Sequence, residues 1–208
     1  MTWQKRRATM PGRASFLAER MNRWGGTMRN GAGWFAAFVW VVLLGAARPA
    51  AGADRAPTPI TTIFIVRHAE KAATPKNDPP LTEAGRVRAA LLSRVLRSAK
   101  VQAVYSSGFA RTDQTAAPVA EVAGVKTTRY DARHSPALAA VIKRDHPGGV
   151  VLVVGHSNTI PGLLGALGVA RVEVPVIGDD EYDNLFIVTI SENHVSMVRL
   201  RFGAPAPQ

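Results

Sequence analysis

Two arginines and two histidines stand where this chain's strands should end. Ile63-Phe64-Ile65-Val66 is apolar and entirely β-branched or aromatic, the make-up of a short buried strand, and it breaks off into Arg67-His68-Ala69-Glu70. The continuous apolar run from Gly149 to Gly155 reads as a central strand buried on both faces, and it delivers His156-Ser157-Asn158. Between them, a strand from Val101 to Ser106 leads into a helix whose first turns carry Arg111. Ligands of open α/β sheets bind at the C-terminal ends of the parallel strands. A lone arginine or histidine at such a place is ordinary. Four cationic or titratable side chains gathered at one sheet edge suggest a common task.

That task is handling a phosphoryl group. Its charge is spread over three oxygens, which planar guanidinium forks match bidentately. A histidine can accept the phosphoryl group as a nucleophile when its attacking nitrogen is unprotonated. A second imidazole, if protonated, adds a donor. The backbone amides of a helix starting after Asn158 add partial positive charge toward an anion, making Asn158 a further binding candidate. Electrostatic stabilisation of the transferring group is most of the work of phosphoryl transfer.

The elements that must position these residues follow from periodicity. After the first strand, the prolines and polar residues of 71–80 mark a loop. Leu81-Thr82-Glu83-Ala84-Gly85 opens a helix with Thr82 as its cap, and Ala84, Val87, Leu91 and Val95 are expected on its inner face, with Arg86, Arg94 and Arg97 pointing elsewhere. Phe109 to Val122 predicts a helix interrupted or kinked near Pro118, Thr127 to Tyr130 a third strand, and Pro136 to Asp145 a helix with proline in its first turn. Thr159 to Leu167 is a short apolar helix, and Leu185 to Ile190 with Val195 to Phe202 form a closing hairpin. Alternating strands and helices give one α/β domain, a parallel-rich sheet flanked by helices. Asp179-Asp180-Glu181 reads as a solvated acidic loop, and His146 and His194 as exposed loop residues.

The formal net charge of +11 suggests nucleic acid until its distribution is seen. Residues 1–53 hold eight Lys/Arg against one acid, and 54–208 hold 18 against 14, with the basic residues scattered. Nucleic acid is therefore not an expected partner. The absence of cysteine excludes disulfides, thiolate catalysis and cysteine metal sites. From Trp34 to Ala47 run 14 uncharged, mostly apolar residues, short of the ~20 a spanning helix needs and suited to the core of a signal peptide. Ala51-Gly52-Ala53 supplies the small-x-small cleavage pattern, which predicts a mature start at Asp54 and no membrane anchor after processing. The expected organisation is a signal region over 1–53, with 1–27 an upstream extension before a start at Met28, a linker over 54–61, the domain over 62–203 and a tail over 204–208. An exported, periplasmic or extracellular protein follows.

In these blocks the chain resembles the histidine phosphatase superfamily, the phosphoglycerate-mutase-like group. Arg67-His68-Ala69-Glu70 after a strand is similar to that family's Arg-His-Gly or Arg-His-Ala signature, and Asp78-Pro-Pro-Leu-Thr-Glu-Ala-Gly85 to the opening of its first helix. Tyr105-Ser-Ser107 with Arg111 and Thr115 resembles its arginine segment, and Gly155-His156-Ser157 its second histidine. The resemblance implies a phosphomonoester hydrolase in which His68 is the phosphorylated nucleophile, while Arg67, Arg111 and His156 hold the phosphate. It implies no metal and no cofactor. The partner is then a phosphorylated small molecule or a phosphoprotein. The rival readings are a phosphohistidine or phosphoprotein phosphatase, and a phosphate-binding module without turnover. One departure stands out. Larger members place an acidic proton donor after the third strand, where this chain reads Asp131-Ala132-Arg133-His134-Ser135. Glu70, two residues beyond the nucleophile, is the first candidate for the missing acid, with Asp131 and His134 as alternatives.

Overall fold

The computed structural model describes residues 58–205. The expected signal region, its cleavage site and the last residues of the tail lie outside them. A six-stranded sheet runs in the order β3-β2-β4-β1-β5-β6, formed by β1 (Thr61–Arg67), β2 (Ala103–Ser106), β3 (Thr127–Arg129), β4 (Val150–Gly155), β5 (Asn184–Ile190) and β6 (Val195–Arg201). The first four strands in space are mutually parallel, and β5 and β6 add an antiparallel hairpin against β1. The parallel-rich α/β sheet expected from the sequence is the sheet observed.

Side-chain alternation divides the interior into two layers. Ile63 and Ile65 of β1, with Val151 and Val153 of β4, face α3 (Ser135–Asp145) and α4 (Ile160–Leu167). Val66, with Leu152 and Val154, faces α1 (Glu83–Leu96) and α2 (Ala110–Ala123). Each central strand is covered on both faces, which is why β1 and β4 read as unbroken apolar runs. α2 continues through Pro118.

The inner face of α1 differs from the expected one. Gly85, Arg88, Ala89, Leu92, Ser93 and Leu96 are buried, while Val87 and Val95 are 61% and 49% exposed. The apolar stripe is displaced by one residue, about 100° around the helix. Two contacts set this rotation. Arg88, read as nothing in particular from sequence, turns inward to a carboxylate, and Gly85 packs so closely on the Glu70 carbonyl that any side chain there would collide with it. Thr82 does cap α1, its hydroxyl accepting the Gly85 N–H at 3.1 Å. His146, expected to be exposed, is half-buried. Its Nε2 meets the Tyr105 hydroxyl at 2.8 Å, and its carbonyl accepts from Thr61 Oγ1 at 3.0 Å.

Candidate active site

Register brings the site together. Arg67 ends β1 directly beside Gly155 of β4, and the His68 N–H donates to the Gly155 carbonyl at 3.0 Å. His68 and His156 therefore leave neighbouring strands side by side, with ring centroids 5.3 Å apart and planes at 65°. β2, on the other side of β4, contributes Ser107 from its end, and α2 contributes Arg111 from its first turn. The four residues read from sequence do meet at one edge.

His68 is 3% exposed, and its Nδ1 lies 2.8 Å from the Ala69 carbonyl. A carbonyl only accepts, so Nδ1 carries the proton and Nε2 keeps its lone pair. Burial, together with the charges of Arg67 and Arg111, pulls this imidazole down to about 3, against the opposing effect of the Ala69 bond. His68 is thus neutral at physiological pH, the state a nucleophile needs. His156 is drawn down to about 4, again by burial first and then by Arg111 and Arg67. Its Nε2 is 2.7 Å from Ser107 Oγ. That hydroxyl can donate to the neutral ring or accept from the charged one, so it serves His156 in either state.

Both arginines are held by their faces and edges. Arg67, 4% exposed, gives Nη1 to the carbonyls of Gly178 at 2.9 Å and Asp179 at 2.5 Å, and its guanidinium lies over the Tyr182 ring. Arg111 lies over the Phe109 ring at 4.4 Å, with Asp78 3.7 Å from its Nη1. In each arginine the buried Nε has no hydrogen-bond partner. A buried donor left without an acceptor costs free energy. Two such donors beside two neutral imidazoles make a pocket that an anion with several oxygens would satisfy. Among the described residues no group of three or more His, Asp or Glu is arranged to hold a metal ion.

The proton-donor candidates fare differently. The Glu70 carboxylate takes Arg88 Nη2 at 2.7 Å and Arg88 Nε at 3.0 Å. Burial alone would raise it, but the Arg88 bonds and charge prevail and hold it below its ordinary range. An ionised carboxylate committed to an arginine has no proton to give at neutral pH, so Glu70 is a structural partner of Arg88. Asp131 is held low by bonds from Arg133 and His134 in an exposed turn. His134 is exposed and bonded to Asp131 at 3.1 Å. Asn158 is exposed beside the site, at the mouth of the cleft that runs toward Arg171.

Several contributors were not singled out from sequence. Tyr182 and the Gly178 and Asp179 carbonyls come from and directly flank the Asp179-Asp180-Glu181 stretch expected as a solvated acidic loop, more than a hundred residues from the arginine they hold. Asp179 and Asp180 are exposed as expected, but Glu181 is bridged to Arg199 and Arg201. Thr115 accepts the Ala69 N–H at 3.0 Å and donates to the Arg111 carbonyl at 2.7 Å, tying the loop after His68 to the helix that carries Arg111. Its place in the arginine segment was the only signal of this.

Residues 63–133 match the family model of the histidine phosphatase superfamily (branch 1). No sequence match is found among curated proteins. Solved structures share the fold. The protein histidine phosphatase SixA complexed with tungstate superposes with a TM-score of 0.55 at 21% identity, covering 67% of this chain and 96% of that one. Mycobacterial glucosyl-3-phosphoglycerate phosphatase gives 0.53 at 17% identity, covering 62% and 90%. Phosphoglycerate mutase from Bacillus anthracis str. Sterne gives 0.53 at 16%, covering 69% and 93%. At these identities the likeness is one of fold, and the matched sequence segment carries Arg67, His68 and Arg111. The match over residues 63–133 and the shared fold make this chain similar to the histidine phosphatase superfamily.

Proposed function

We propose that this protein hydrolyses phosphomonoesters through a phosphohistidine formed on Nε2 of His68. The observation that carries this reading is the Nδ1 bond to the Ala69 carbonyl, which leaves the Nε2 lone pair of a neutral ring available, with Arg67 and Arg111 each holding a buried, unpartnered Nε donor. In the first step Nε2 attacks phosphorus and the bond to the leaving oxygen breaks, while Arg67, Arg111 and His156 stabilise the equatorial oxygens. In the second step water takes the phosphoryl group from His68, releasing inorganic phosphate and restoring the neutral ring. The superfamily model over 63–133 supports the same chemistry.

A phosphohistidine or phosphoprotein substrate is the second reading, and one observation favours it. Glu70 and Asp131, the carboxyls nominated to protonate an alkoxide, are both held ionised. An imidazole protonated on its far nitrogen departs from phosphorus as a neutral molecule and needs no such acid. One of the structural neighbours is a protein histidine phosphatase solved with tungstate, a phosphate mimic. Export to the periplasm or beyond completes the proposal, supported by the apolar stretch from Trp34 to Ala47 and by Ala51-Gly52-Ala53. The protein recovered from the extracytoplasmic fraction should begin Asp-Arg-Ala-Pro.

The test is turnover by the purified protein of p-nitrophenyl phosphate, an alkyl phosphate, a phosphoserine peptide and a phosphohistidine peptide. Rapid quenching should trap an acid-labile, base-stable phosphoryl group. His68→Ala should lose activity by three orders of magnitude or more, roughly, with an unchanged circular dichroism spectrum. Substantial activity in His68→Ala would defeat the covalent route. Phosphate binding without turnover by the native protein would leave the binding-module reading standing instead.

A further inference from the structure

The residues that hold the phosphate clamp also form one end of a cleft. A cavity of about 650 Å³ lies between the start of α4 and the segment 171–179. Ser157 follows His156 directly, and its hydroxyl donates to Asp179 Oδ1 at 3.1 Å. Gly178 and Asp179 give their carbonyls to Arg67. One wall of the cleft is therefore bonded to Arg67, the other follows His156 directly along the chain, and the Ser157–Asp179 bond ties the two walls together. The rest of its lining is largely apolar, with Pro161, Val174, Pro175 and Val176, and includes an exposed Arg171. The apolar surface here is unusual for a solvated loop. Val176 is 90% exposed, although its neighbour Ile177 is buried at 7% and pins the segment to the core. A rigid segment that turns valine to water beside a phosphate clamp has the form of a recognition wall.

We infer that this cleft binds the organic part of the substrate, and that it fits a leaving group with an apolar body and an anionic far end. The inference rests on the phosphate-site reading above, since the phosphoryl group is what brings the ester to the mouth of the cleft. The apolar walls take the hydrocarbon portion. Among the described residues that line the cleft Arg171 is the only cation, and it lies on the segment opposite the α4 wall. Asp179, the one lining carboxylate, is engaged by Ser157 near the inner end. A cationic leaving group would meet Arg171 unfavourably. A very short polar one would leave the apolar wall in water.

Binding of non-hydrolysable phosphonates, followed by calorimetry on the full chain, separates the elements. The series is methylphosphonate, hexylphosphonate and 6-phosphonohexanoate. Each affinity is expressed relative to methylphosphonate in the same variant, so that any disturbance of Arg67 cancels. The hexyl chain should tighten binding about tenfold, well below full burial of five methylenes because the cleft is open. The terminal carboxylate should add roughly threefold more, as expected of an exposed ion pair. Val176→Asp should remove the hexyl increment, and Arg171→Glu should remove the carboxylate increment while retaining the hexyl one. A flat series, or increments that survive both substitutions, would overturn the inference while leaving the phosphate site intact. Failure of all three phosphonates and inorganic phosphate to bind would bring down the phosphate site and the cleft together.

Discussion

The Tyr182 ring lies 4.3 Å from the guanidinium carbon of Arg67, on the side chain's flat face. The same arginine is held at one edge by two backbone carbonyls of the preceding residues, Gly178 and Asp179. A single short segment thus fixes the plane and the rotation of a clamp residue, and leaves Nε as the unpartnered donor. A desolvated cation–π contact contributes up to about 2 kcal/mol. Removing it loosens the arginine before substrate arrives, so part of the binding energy goes into ordering it.

Tyr182→Leu should therefore raise KM for small phosphate esters on the order of tenfold, with a smaller change in kcat. Tyr182→Phe keeps the ring and should restore most of the loss. If Phe is as impaired as Leu, the hydroxyl rather than the ring face is what matters, and the positioning account is wrong.

Ser107 acts on His156 as the tyrosine acts on Arg67. Its Oγ lies 2.7 Å from Nε2 and 3.1 Å from Thr112 Oγ1, so the hydroxyl bridges the ring to the buried start of α2. Ser107→Ala should cost roughly tenfold in kcat/KM. The ¹⁵N chemical shifts of the His156 imidazole should move while those of His68 stay in place. Ser107→Thr retains the hydroxyl and should recover the native His156 shifts. An unaltered His156 spectrum in the alanine variant would show that the hydrogen bond is not formed in solution.

Glu70 gives a test that distinguishes acid from scaffold. Its bonds to Arg88, together with the Arg88 bonds to the Phe202 and Ala204 carbonyls, join the loop after His68, α1 and the chain beyond β6. Breaking a fully buried pair costs about 3–5 kcal/mol, and Glu70 is 24% exposed on its side chain, so Glu70→Gln should destabilise the domain by roughly 2 kcal/mol. Its activity loss should be equal on an alkyl phosphate and on p-nitrophenyl phosphate. A loss confined to the alkyl ester would restore Glu70 as the general acid.

The four central residues were legible because strand hydrophobicity and strand-end position are local properties. Val66 is apolar because both sheet faces are covered, and the next two residues stand at the sheet edge for the same reason. Tyr182 was not legible. Its role depends on a chain reversal after α4 that brings 178–182 back over β1, and no local pattern records that return. The rotation of α1 was missed for a related cause. Periodicity ranks Val87 and Val95 above Arg88 for burial, but Arg88 turns inward to the Glu70 carboxylate while Val87 and Val95 stay exposed. The spacing of Glu70 from His68 along the chain carries no information about what satisfies its charge, which is Arg88.

The two depressed histidines couple folding to pH. In the unfolded chain both titrate near 6.5, and in the folded domain His68 does so at about 3 and His156 at about 4. Between those limits the unfolded state binds more protons, so acid favours unfolding. Stability should be complete above pH 6.5 and fall as pH drops toward 4, by at most about 1.4 kcal/mol per pH unit for each histidine. Glu70, also held low, adds to the loss only below about pH 4.5, its unfolded value. Urea midpoints at pH 7, 6 and 5 measure the slope, and His68→Asn should reduce it by about half. Bound phosphate changes the sign of the local charge. Its oxygens favour protonation of His156, raise that group's folded value and shrink the difference from the unfolded chain. Saturating inorganic phosphate should therefore stabilise the domain and flatten the slope between pH 6.5 and 5. A flat profile without phosphate would mean that neither ring is held neutral. A slope that phosphate leaves unchanged would place the anion away from His156.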